Sequence, residues 1–159
     1  MQTPAPIELQ RLAFLIEAES SQLRDFLALL EREESLLVSG DIDGLPALTA
    51  EKNERYRQLQ RLHDDRARLL GRGGLANDAA ALRKLCARAP KILARWDESL
   101  ALAARARERN AINGRLIAER MQHNQGALSV LLSAANHPQL YDAGGHSRPT
   151  GSGRSLGSA

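Results

Sequence analysis

The sequence predicts an all-α fold: three long antiparallel helices in an elongated coiled-coil-like bundle, with a short extra helix and a disordered C-terminal tail. Three observations point there. Apolar residues recur at helical spacing, no window alternates apolar and polar residues as a half-buried strand would, and β-branched residues are scarce. At 159 residues and 43% hydrophobic the chain can bury one core, and with 3% aromatic content that core is filled by Leu, Ala and Ile. One bundle domain is expected over residues 1–135, followed by a flexible Gly/Ser-rich tail over 136–159.

The first helix is expected from near Pro6, a residue favoured in a first turn, to about Val38, before Ser39-Gly40-Asp41. A heptad frame on it finds Leu9, Leu12, Ile16, Leu23, Phe26, Leu30 and Leu37, with Glu19 and Glu33 as exceptions. Leu15, Leu27, Leu29 and Leu36 widen the seam, so this helix should touch more than one neighbour. Gly40 suits a helix end, Asp41 or Asp43 can cap the next helix, and Pro46 is tolerated only in a first turn. The second helix then covers about 44–70, with Leu45, Leu48, Leu59, Leu62 and Leu69 inward, flanked by Tyr56 and Leu70. A short helix around Asp78 to Ala89 precedes Pro90, which should begin or sharply kink another.

From Pro90 to about Ala135 the seam continues through Leu93, Trp96, Leu100, Ala103, Arg107, Asn110, Gly114, Ile117 and Met121 to Leu128 and Leu131. Asn113-Gly114 is a strong turn dipeptide, yet apolar turns flank it and no strand-like pattern lies nearby. The spacing therefore predicts a helix glycine, costing about 1 kcal/mol relative to Ala, where a facing helix or bound segment approaches the backbone. The alternative is a loop splitting two shorter helices. At 1.5 Å per residue the three rods would measure about 50, 40 and 70 Å, so the last should outreach the others. Its final turns, with Leu128, Val130, Leu131 and Leu132, hold no charged residue. An exposed apolar patch of that kind marks a binding surface, unless a dimer partner or the short helix covers it.

Charge is divided along the chain. Residues 1–43 carry three arginines against nine carboxylates, whereas 83–121 carry ten Lys or Arg against four acids. An acidic first helix beside a basic last one explains this, and the overall net charge is +3. The sequence pI near 9.5 raises nucleic acid as a partner, but Arg105, Arg107 and Arg109 form no continuous basic face and stacking aromatics are missing; no nucleic acid is expected. No catalytic set assembles, so no enzyme, cofactor or metal is expected. GRGGLAND lacks the Lys-Ser/Thr of a phosphate loop. The histidines are assigned to solvent-facing or tail positions, with His63, Asp64 and Asp65 read as a solvated surface, and Cys86 as a small buried hydrophobe. A single cysteine, no basic leader and no run of about 18 apolar residues fit a reducing cytoplasm without membrane insertion.

The Leu-rich helix around Leu27 to Glu33, the SGDIDGLPALTAEK break, Trp96, Asn110-xx-Asn113-Gly114-x-Leu116-Ile117, and Leu140-Tyr141-Asp142 before the Gly/Ser tail together resemble the FlgN family of flagellar export chaperones. The long, basic, Ala-rich stretch 79–107 departs from that pattern. The resemblance implies a non-enzymatic protein that holds the C-terminal segments of the hook-filament junction proteins FlgK and FlgL, prevents premature assembly and delivers them to the export gate protein. For such a role the overhanging helix offers an apolar groove of Leu116, Ile117, Met121, Leu128, Leu131 and Leu132, with Asn113 and Gly114 where the segment would come close. The resemblance places gate docking on Tyr141, beside Leu140. Physically, Leu140-Tyr141 fits a short docking motif or a hydrophobic contact capping the last helix. The competing class is a structural bundle, or homodimer, that self-associates through the same seam without a client.

Overall fold

The computed structural model describes residues 7–122 and Leu132. Four helices follow one another: α1 (Leu9–Ser39), α2 (Leu45–Arg72), α3 (Ala79–Leu85) and α4 (Pro90–Met121). The expected helices are present among the described residues, the last as far as Met121, and most ends have local causes. At the N-cap of α2, however, stands Gly44 rather than Asp41 or Asp43, and no side chain caps it. Gly40 terminates α1 in the left-handed region at φ 76°, and the Asp41 N–H donates back to the Leu36 carbonyl at 3.0 Å. Pro46 lies in the first turn of α2, where its missing N–H costs nothing. The Asp78 carboxylate accepts from the Ala81 N–H at 2.8 Å and so caps α3. Pro90 opens α4, which runs unbroken through Gly114.

Side-chain pairings fix the topology. Moving up α1, Ser20, Leu30 and Val38 meet Ser99, Asn113 and Arg120 in turn, so α1 and α4 run parallel. Over the same course Glu19, Asp25 and Glu33 meet Arg66, Arg55 and Lys52, so α2 runs antiparallel to both. The bundle is up-down-up, and α1 packs on both long partners, as its wide apolar face requires. Short α3 closes the end where α2 hands over to α4, held by Arg83 on Asp97 at 2.6 Å.

Among the described residues the core comes in three apolar blocks. One gathers Leu12, Leu15, Ile16, Leu69, Leu70, Leu82, Cys86 and Trp96 at the α3 end. The middle one holds Leu23, Phe26, Leu27, Leu30, Leu59, Leu102, Ala103 and Ala106, with Tyr56 edge-on to Phe26. Leu37, Leu45 and Ile117 make the third, at the opposite end. The two seam exceptions of α1 are what separates them. Glu19 is fully buried and pairs with buried Arg66, whose guanidinium lies 4.5 Å over the Trp96 ring and donates to Asn77 Oδ1 at 3.0 Å. Glu33, equally enclosed, receives Lys52 Nζ at 3.2 Å and Asn113 Nδ2 at 2.9 Å. Each polar layer draws on all three long helices, since Ser20 and Ser99 complete the first.

Two expectations are corrected here. His63 is buried, not a surface residue: it lies on the same face of α2 as Arg66, three residues on, and its Nδ1 accepts from Arg66 Nη2 at 3.1 Å. Burial, with Arg66 beside it, pushes its pKa down to about 4, so the ring is neutral. The inward frame of α4 also sits one residue earlier at every second step, through Trp96, Ser99, Ala103, Ala106, Asn113 and Ile117. Leu100, Arg107 and Gly114 are consequently only half-buried.

Candidate functional site

The strongest candidate is the end of the bundle built by the third apolar block. Its fixed floor is Leu37 from α1, Leu45 from α2 and Ile117 from α4, each about 1% exposed. Around the floor stand Leu36, Ile42, Leu116, Met121 and Leu132, all half-buried and packed against it. Val38 nearby is 64% exposed. Three helices and a turn meet at this end: α1 stops at Gly40, Ile42 lies in the turn into α2, and α4 supplies Ile117.

Beneath the floor the Glu33 layer holds the three helices in register. Asn113 Nδ2 donates to the Leu30 carbonyl and to Glu33 Oε1, both at 2.9 Å, while Lys52 supplies the countercharge. Burial lowers the Lys52 pKa, and Glu33 opposes that shift. At the rim Arg120 Nη2 donates to the Val38 carbonyl at 3.1 Å, tying the last turn of α4 to that of α1. An open groove of about 480 Å³, lined by Ala28, Glu31, Arg32, Ser35, Leu36 and Leu48, runs along α1 and α2 on the flank of this end.

The expected client-binding residues separate into three groups. Leu116, Met121 and Leu132 are brought together at the end cluster as partly open apolar surface, with half-buried Gly114 two turns before Met121. Asn113 and Ile117 face inward; the Asn113 amide is committed to α1, so neither presents a contact face to a partner in this conformation. Leu128, Leu131, Leu140 and Tyr141 lie outside the described residues, as does the proposed boundary near residue 135.

The expected overhang does not hold in its simple form. One straight rod to Ala135 would carry Leu132 about 22 Å past Ile117 along the axis. Instead Leu132 packs against the Leu37–Leu45–Ile117 block. Arg120 is level with the last turn of α1, so the described part of α4 ends flush with its neighbour. Sequence reasoning missed the α1/α2 flank. Its signal is a second, small-residue heptad on α1, Ser21-Ala28-Ser35, opposite the leucine seam.

Among the described residues no helix is long and apolar enough to cross a membrane, and no group of His, Cys, Asp and Glu could hold a metal. Comparison with known proteins agrees with this architecture. The family model for FlgN protein matches residues 1–149. The flagella synthesis protein FlgN of Yersinia enterocolitica is 28% identical over 141 residues, spanning 87% of this chain and 90% of its own. A crystal structure from Pseudomonas aeruginosa assigned to flagella synthesis protein FlgN superposes with a TM-score of 0.65 at 25% identity, covering 83% of this chain and 98% of that one.

Proposed function

The chain belongs to the FlgN family, and on that premise we propose that it is a cytoplasmic flagellar export chaperone whose open bundle end holds the C-terminal segments of the junction proteins FlgK and FlgL. The observation that carries this reading is the half-covered apolar block of Leu116, Met121 and Leu132 over a rigid floor. An amphipathic client helix buries its apolar face on such a surface by the same energetics that seat Leu132 there, at about 25 cal/mol per Å² removed from water. Leu128 and Leu131 join this face in the proposal, and Gly114 leaves the adjoining backbone approachable. Delivery to the export gate is assigned to Leu140 and Tyr141 in the tail, which leaves the client site free during docking.

Titration calorimetry with the C-terminal segment of a junction protein tests the assignment. A Leu116→Asp, Met121→Asp double variant should lose client binding while keeping its helical circular dichroism and its gate contact. Tyr141→Ala should do the reverse. Unchanged client affinity in a folded double variant would refute the end-cluster assignment, and a stable homodimer buried on these residues would favour the self-associating scaffold.

A further inference from the structure

The α3 end of the bundle has a feature that the client site does not use. Residues 79–96 contain five cations, Arg83, Lys84, Arg88, Lys91 and Arg95, and no carboxylate. Two of the five are neutralised by neighbours: Arg83 by Asp97 at 2.6 Å, and Arg95 by Glu17 and Glu98 at 3.4 and 3.3 Å. Lys84, Arg88 and Lys91 remain exposed, with no ion pair or hydrogen bond among the described residues. They follow one another around a single corner. Backbone bonds from Cys86 to Leu82, Ala89 to Cys86 and Ile92 to Ala89 fold the chain sharply from α3 into α4. Lys91 also stands in the first turn of α4, where the aligned peptide dipoles disfavour a cation and no acidic residue offsets it. Lys84 suits the last turn of α3, but the fold gains no pairing from Arg88 or Lys91, and the corner is anchored by buried Leu82, Cys86 and Trp96 and by the Asp78 cap.

We propose that the α3–α4 corner, through Lys84, Arg88 and Lys91, docks a carboxylate-rich segment of a partner protein. The chemistry favours an acidic protein over the other anions. Single-stranded nucleic acid would need a longer cationic track and stacking rings, but the corner's one aromatic, Trp96, is buried beneath Arg66. A lipid surface would need an apolar anchor beside the cations; among the described residues α3 and the first turn of α4 expose no large hydrophobic side chain. The exposed Leu9 and Phe14 of α1 at this end make vesicle binding the alternative that the test must separate. The corner lies about 45 Å from Met121 along α4, so a client at the far end and an acidic partner here can be held together. This inference does not depend on the client reading.

The test uses the full chain and a labelled oligoglutamate peptide, with binding read by fluorescence anisotropy at low and raised salt. The wild-type protein should bind in a salt-sensitive manner. Lys84→Glu, Arg88→Glu, Lys91→Glu should weaken binding by roughly tenfold or more, as expected when several contacting charges are reversed. A control triple, Arg61→Glu, Arg105→Glu, Arg115→Glu, changes net charge equally at exposed positions elsewhere and should bind within about twofold of wild type. Neutralising variants Lys84→Gln, Arg88→Gln, Lys91→Gln should lose an intermediate amount, with all proteins melting alike by circular dichroism. The proposal is overturned if wild type does not bind the peptide, if both triples lose binding equally, or if the corner triple binds as wild type does. Tighter, corner-dependent binding of a single-stranded oligonucleotide or of phosphatidylserine vesicles would overturn it as well.

Discussion

Arg66 offers the most decisive single test of how this bundle is held together. Its side chain is fully enclosed, pairs with an equally enclosed Glu19, covers the Trp96 ring at 4.5 Å and donates to Asn77. Replacing it by Met keeps much of the volume but takes the countercharge from the Glu19 carboxylate, which lies between two apolar blocks. Breaking a buried pair in this way costs about 3–5 kcal/mol, and losing the cation over the indole adds about 1 kcal/mol. Against a total stability of about 5–15 kcal/mol that is a large fraction, and for a chain of this size it corresponds to a fall in Tm of roughly 10 °C or more. The double variant Glu19→Leu, Arg66→Met removes both charges, fills the layer with apolar groups and should recover most of the loss, because the pair itself contributes little net stability. Urea unfolding followed by circular dichroism near neutral pH measures both. If Arg66→Met lies within about 1 kcal/mol of wild type, or the double variant is as damaged as the single, the reasoning about an uncompensated carboxylate is wrong.

Two further outcomes follow from the same layers. His63 has a pKa near 4 in the folded protein against 6.5 in the unfolded chain, so between those values the unfolded state binds more protons and stability rises with pH. The contribution is fully present above about pH 6.5 and declines by roughly 3 kcal/mol as pH falls to about 4. His63→Leu should flatten that part of the pH–stability curve, and parallel curves for the two proteins would contradict the buried, neutral assignment. Asn113→Ala should cost about 1–3 kcal/mol by stripping donors from the Leu30 carbonyl and Glu33, and Asn113→Asp should cost more, since it sets a second carboxylate against Glu33. Thermal melts of the two variants check the order, and equal melting points would show that Glu33 is not confined as described.

Much of this architecture is legible in the sequence because its signals are local. Gly40, Pro46, Asp78 and Pro90 punctuate the helices by backbone chemistry that needs no tertiary context, and the leucines of α1 report a broad buried face directly. The seam marks Glu19 and Glu33 as inward exceptions, but not what pairs with them, and His63 reads as solvated. A charged or titratable residue on a helix is read as solvated unless its countercharge is known, and the countercharges Arg66 and Lys52 are 47 and 19 residues away in sequence. The register of α4 escaped for a related reason. Its inward positions include Ser99, Ala103, Ala106 and Asn113, which carry little hydropathic signal, whereas Leu93 and Leu100 at the rim carry more.

The polar layers also bear on why the candidate client site lies where it does. An uninterrupted leucine seam tolerates sliding by a heptad, because every block looks like the next. Glu19 with Arg66 and Glu33 with Lys52 and Asn113 are fourteen residues apart on α1, and the two layers are satisfied together in only one alignment of the three rods. The alignment they enforce brings the last turns of α1 and α4 level and leaves Leu37, Leu45 and Ile117 as a short block cut off from the middle of the core. A block so small, closed on one side by a charged layer and on the other by the half-buried Leu116, Met121 and Leu132, can change its outer covering without disturbing the leucines beyond Glu33. Exchange of Leu132 for a client side chain would then be a local event at one end of a bundle whose remaining length stays locked.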